Sequence, residues 1–143
     1  MGQKFHVLII GPKESNYGHG VYLMNVWIPY NYPKMPPEIK FETYIHHCNV
    51  TVSGKICIDL LGNSWDPIKH NIQAALNAVL DMLLNPTITN ALDSTIAYYF
   101  MNMREKYNQK AKLLCTKHAN KSVDRLFEEI YGEKFKENPK EYG

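Results

Sequence analysis

The residues best suited to chemistry are gathered in one stretch: His46, His47, Cys48 and Asn49, with Cys57 eight residues beyond Asn49. A thiol, imidazoles and a side-chain amide are the parts of sulfur-based nucleophilic catalysis, in which a thiolate attacks a carbonyl and an amide N–H steadies the resulting oxyanion. Three readings compete. Ile56 and Ile58 flank Cys57, and a lone cysteine in such a setting is best read as a small buried hydrophobe. His46, His47, Cys48 and Cys57 are donor types for zinc, but three adjacent ligands do not readily converge on one tetrahedral centre, and paired two-residue gaps are missing. Cys57 could instead be an attacking thiol beside Asn49 and a histidine. A Cys-His-Asn protease has these residue types, yet it needs a spatial order that spacing along the chain does not supply.

The elements around this stretch are easier to read. Phe5, Val7 and Ile9 alternate with His6, Leu8 and Ile10 and stop at Gly11-Pro12, which predicts a strand ending in a turn. Residues 21–28 predict a second strand, paired with the first as an antiparallel hairpin across a long polar loop. Four prolines between Pro29 and Pro37 exclude both helix and central strand. A short third strand is expected over 39–41. Residues 44–66 follow neither period, and long aperiodic segments in small domains are often functional.

Beyond them Ile72, Ala75, Leu76, Val79, Leu80 and Leu83 recur at three- and four-residue steps, one face of an amphipathic helix that Asn85-Pro86 ends. Helices are expected over 91–101 and 104–114, and a last one capped by Asn120 or Ser122 and running to about Tyr131, before Gly132. Strands first and helices second predict an α+β domain, with its core in 1–118 and a helical, charged extension over 119–143. Trp65 is expected to anchor the core.

Composition narrows the classes. With 45% hydrophobic and 21% charged residues in 143, the chain suits one ordinary globule. No apolar run approaches the roughly 20 residues that a bilayer crossing needs, and no basic-then-apolar leader is present, so a soluble intracellular protein with no membrane partner is expected. Three cysteines without paired spacing point to free thiols. A net charge of +2 with scattered lysines gives no phosphate-tracking stripe, which argues against nucleic acid as a partner.

A longer pattern decides among the readings of Cys57. Gly11-Pro12, Tyr17-Gly18-His19-Gly20-Val21-Tyr22, Tyr32-Pro33 with Pro36-Pro37, His47-Cys48-Asn49, Gly54-Lys55-Ile56-Cys57-Ile58-Asp59 and Trp65-Asp66-Pro67 follow one another in order and spacing. From about Phe5 to Leu114 the chain resembles ubiquitin-conjugating (E2) enzymes. It departs from their pattern where Cys48 replaces a proline, His19 a glycine and Lys34 an aromatic residue. It also opens at what resembles the family's second strand, without the amino-terminal helix that contributes to E1 and E3 docking.

The resemblance implies that Cys57 accepts ubiquitin from the E1 thioester and yields it to a lysine amine of a protein substrate or to an E3 cysteine. No cofactor and no metal is implied, and the expected location is the cytoplasm or the nucleus. By position Asn49 matches the oxyanion-stabilising asparagine, while its plainer role is to hydrogen-bond loop backbone. His47 is expected to hold that loop. Asn90 stands where an acidic residue often handles the incoming amine, which leaves Asp66 as the nearest acidic candidate, or else a turn cap. Lys34, Met35, Pro67 and Ile68 match the E3-binding loops. The rivals are a non-catalytic E2 variant serving as a binding module, an enzyme for a ubiquitin-like modifier and, more distantly, a cysteine protease.

Overall fold

A computed structural model describes residues 2–137, with side chains through 132. Three antiparallel strands in the order β1 (Gln3–Ile10), β2 (Val21–Ile28) and β3 (Glu38–Phe41) form the sheet. Val7 lies opposite Met24, and Met24 opposite Phe41. This register aligns the apolar alternation of all three strands on one face, as period-2 patterning requires. β1 starts at Gln3, two residues before the expected Phe5, because Ile28 offers Gln3 a ladder partner. The expected hairpin, the proline-rich connector and the α+β class all stand.

Helix α1 (Ile72–Leu84) crosses the inner face. Its Ala75, Val79, Met82 and Leu83 are buried among Tyr22, Met24, Val26, Ile39 and Phe41. Leu76 and Leu80, two of the expected stripe, are only partly buried, while Met82 lies fully inside. Asn71 caps the helix, its side chain accepting the N–H of Ala74, which satisfies one of the orphan donors of the first turn.

Three further α-helices follow among the described residues. Asp93 caps α2 (Ser94–Asn102) by accepting from Thr95 and Ile96, so this helix starts three residues later than the expected Ala91; a 3₁₀ turn at Ile88–Asn90 uses the chain before it. Helix α3 (Arg104–His118) outlasts its expected end at Leu114 by one turn. That turn buries Cys115, and Ala119 beyond it accepts the N–H of Val21. Helix α4 (Val123–Glu137) has Ser122 rather than Asn120 at its start, the hydroxyl accepting from Arg125. It also runs through Gly132 instead of ending before it.

Helix α4 lies against the outer face of the sheet: Leu126 is buried and lines one cleft with Val21 and Leu23, and the Tyr131 ring sits 6.1 Å from that of His6. This explains why β2 is buried on both faces from Val21 to Met24 yet leaves Trp27 46% exposed at its far end. No helix of the described residues is long and apolar enough to cross a membrane.

Candidate active site

The aperiodic segment after β3 is held by backbone pairing rather than by a regular element. Val50 bridges Ile56, Lys40 bridges Lys55, and the Cys57 N–H donates to Asn49 O at 2.9 Å. The turn between them needs Gly54, whose φ of +91° lies in the region that favours glycine. A Cβ there would also overlap Phe41 O. The pairing sets Cys57 beside Asn49 and leaves the cysteine half-buried, neither sealed in the core nor fully open.

His47 is wholly buried, with both ring nitrogens committed. Nε2–H donates to Met82 O at 2.8 Å, and Nδ1 accepts the Asn49 N–H at 3.0 Å. These partners fix a neutral tautomer. Burial pushes its pKa down to about 4, while the Met82 carbonyl acts in the opposite sense. A ring so engaged has no nitrogen to take a proton from Cys57, which removes the protease triad built on His47. The two contacts tie the ring to α1 and to the Asn49 backbone. His46, also buried, has its pKa lowered by burial and by Lys110, and its ring lies 5.6 Å from Tyr107. Among the described residues no three His, Cys, Asp or Glu side chains are grouped to hold a metal ion.

Asn49 is also fully buried, and its amide clasps one residue from both sides: Nδ2 donates to Thr87 O at 2.7 Å and Oδ1 accepts the Thr87 N–H at 2.9 Å. The active-site segment is thereby tied to the loop after α1. That loop carries Asn90, whose Nδ2 donates to Asp59 Oδ1 at 3.3 Å. Asp59 opens the 3₁₀ turn Asp59–Leu61, two residues past Cys57. Cys57, Asn49 and Asn90 are thus linked through Thr87 and Asp59, two residues to which the sequence alone assigned no role.

Asp66 is not part of that linkage. Its Oδ1 accepts the N–H groups of Ile68 and Lys69, and its own N–H donates to His70 Nδ1. The turn-capping role is the one its contacts support. Trp65, partly buried against the core, donates its indole N–H to Pro33 O at 2.7 Å and lies tilted against the rings of Tyr32 and His70. It ties the proline-rich connector to the loop after it. Lys34, Met35, Pro67 and Ile68 lie exposed on these two tied loops, Ile68 being 95% exposed.

Residues 2–115 match the family described as ubiquitin-conjugating enzyme. The chain belongs to the ubiquitin-conjugating enzyme family. Its fold is similar to that of the E2 domain of a Toxoplasma gondii ubiquitin conjugating enzyme, with a TM-score of 0.76 and 32% identity over 81% of this chain and 80% of that one. Within this E2 fold the antiparallel sheet and the following helices are those expected, while α4 lies beyond the matched residues. Among the described residues no helix precedes the sheet, and β1 is an edge strand. His19 adopts a φ of 67° at the position where the family pattern has glycine, a conformation that a non-glycine residue enters at some cost.

Proposed function

We propose that this protein is an active E2 enzyme in which Cys57 carries ubiquitin as a thioester. The observation that carries the reading is the half-open Cys57 held in register with the buried Asn49, whose amide in turn holds the loop bearing Asn90.

In the first step the Cys57 thiolate attacks the carbonyl of the E1–ubiquitin thioester; the new C–S bond forms and the E1 sulfur leaves. In the second a lysine amine attacks the Cys57 thioester and passes through a tetrahedral oxyanion; the amine nitrogen gives its proton to solvent, the new C–N bond stays, and the C–S bond breaks to release the Cys57 thiolate. Transfer to an E3 cysteine exchanges one thioester for another. ATP is consumed by E1, so this chain needs no cofactor.

The roles divide by contact. His47, neutral and locked, holds the segment. Asn49 fixes the loop at Thr87 in the uncharged enzyme, and turning one amide N–H toward the substrate carbonyl is the step that would make it an oxyanion donor. Asn90 orients the incoming amine, and Asp59, its hydrogen-bond partner, is the carboxylate placed to attract it; Asp66, engaged with its own turn, supports the rim instead. Lys34, Met35, Pro67 and Ile68 form the E3-facing surface, in the cytoplasm or the nucleus.

Incubation with E1, ATP and ubiquitin is expected to give an adduct that thiols release and that Cys57→Ala abolishes. An adduct surviving that substitution would move the role to another cysteine, and a chain that binds ubiquitin but never charges would be a binding module. Replacing ubiquitin by ubiquitin-like modifiers in the same gel tests which one is carried.

A further inference from the structure

Cys48 is fully buried, and it uses every hydrogen-bonding group it has. Its N–H donates to the Tyr107 hydroxyl at 3.3 Å, its carbonyl accepts the Leu92 N–H at 3.0 Å, and its Sγ–H points to Asn49 Oδ1 at 3.7 Å. Burial raises the thiol pKa, so the sulfur keeps the proton that this last contact needs. Together Cys48 and Asn49 grip the second 3₁₀ turn, Ile88–Asn90, at both ends: Asn49 takes Thr87 just before it, and Cys48 takes Leu92 just after it. Asn90 therefore reaches Asp59 from a turn whose two ends are pinned to Asn49, which pairs with Cys57, and to its neighbour Cys48.

Behind Cys48 the hold continues into α3. The Tyr107 hydroxyl lies 3.5 Å from that of Tyr17, which donates to His46 O. Cys48, Tyr107 and Phe100 form a buried cluster of their own, with Ile88, Ala91 and Ile96 packed on it. Residues of α2 and α3 thus pack with Cys48 in the cluster on which Ile88 and Ala91 of the Asn90 turn rest.

We infer that Cys48 is a positioning residue for transfer to lysine, setting the Asn90 turn against Cys57 through its N–H, its carbonyl and its thiol. This rests on the proposed E2 activity and deepens it. A proline, the residue that the family pattern places here, keeps the carbonyl contact to Leu92 but neither the N–H nor the S–H contact, so those two parts of the clamp are properties of this chain.

Four substitutions separate the contacts. Cys48→Pro deletes both the N–H and the S–H. Cys48→Ala deletes only the S–H, Cys48→Ser keeps a side-chain donor, and Tyr107→Phe removes the acceptor while leaving Cys48 intact. Amide hydrogen exchange on the uncharged protein needs no E1. Protection of Leu92 and Thr87 is expected to fall about tenfold in Cys48→Pro and Tyr107→Phe, less in Cys48→Ala and least in Cys48→Ser, consistent with the loss of about one hydrogen bond. On the charged protein, the ratio of single-turnover discharge to free lysine over the rate of charging is expected to follow the same order.

Parental protection in both Cys48→Pro and Tyr107→Phe would overturn the clamp. A discharge-to-charging ratio unchanged in all four would overturn its role in transfer. If Cys48→Pro does not fold, Tyr107→Phe decides both readings. A parent protein that never forms a thiol-sensitive adduct would instead sink the enzymatic reading, and the exchange measurement would still judge the clamp.

Discussion

Residues 46–49, the buried base, and a more exposed set of Cys57, Met35 and Ile68, the rim, are built in opposite ways. In the first, every side chain is buried, and those of His47 and Asn49 are met by partners on two sides. In the second, Cys57 is half-open and Met35 and Ile68 are 52% and 95% exposed. A buried polar group left unpaired costs free energy, whereas an exposed one is paired by water. The base of the site is therefore expected to govern stability, and the rim to govern reactivity and partners.

Removing His47 tests the base most severely. His47→Ala strips partners from Met82 O and the Asn49 N–H and leaves a void, for an expected loss of roughly 3–5 kcal/mol in urea unfolding. A loss under about 1 kcal/mol would mean that water replaces the ring. Acid probes the same residue without mutation. Its folded pKa of about 4 lies below the unfolded value near 6.5, so the unfolded chain binds more protons between them. The contribution of neutral His47 is complete above about pH 6.5 and is lost as pH falls toward 4, with stability declining by about 3 kcal/mol over that window. A His47→Gln variant, which cannot titrate, is expected to flatten that slope.

Asn49→Ala comes next, at about 2 kcal/mol, because the Thr87 N–H and C=O both lose their partner. On the rim the numbers shrink. Cys57→Ala is expected to cost under about 1 kcal/mol while abolishing the thioester. Ile68→Ala is expected to stay within about 0.5 kcal/mol of the parent and to lower E3-stimulated discharge without changing unstimulated charging. An Ile68→Ala protein that discharges normally with several E3 partners would take this residue out of the docking surface.

The strands were legible because their alternation is bounded by Gly11-Pro12 and by the proline-rich connector, both of which act locally. The continuation of α4 through Gly132 was not legible. A glycine inside a helix costs about 1 kcal/mol relative to alanine, and the burial of Leu126 and the contact of Tyr131 with His6, invisible in a linear pattern, offset it. The start of α2 was misplaced for a related reason: Asp93 could be recognised as a cap only once the turn before it was known to be held by Cys48 and Asn49.

By itself the sequence determined the residue types that can do sulfur chemistry, the family to which their order points and the periodic elements that frame them. Side-chain chemistry and hydrophobic period are local properties, legible one residue or one turn at a time. Only the tertiary structure decided that His47 is locked in one tautomer, that Asp66 serves its own turn, and that Asn49 holds Thr87, 38 residues away. It also showed that Asp59 is the carboxylate that Asn90 meets. Hydrogen bonds over such separations depend on where the sheet and α1 carry the chain, and no spacing along the sequence encodes that.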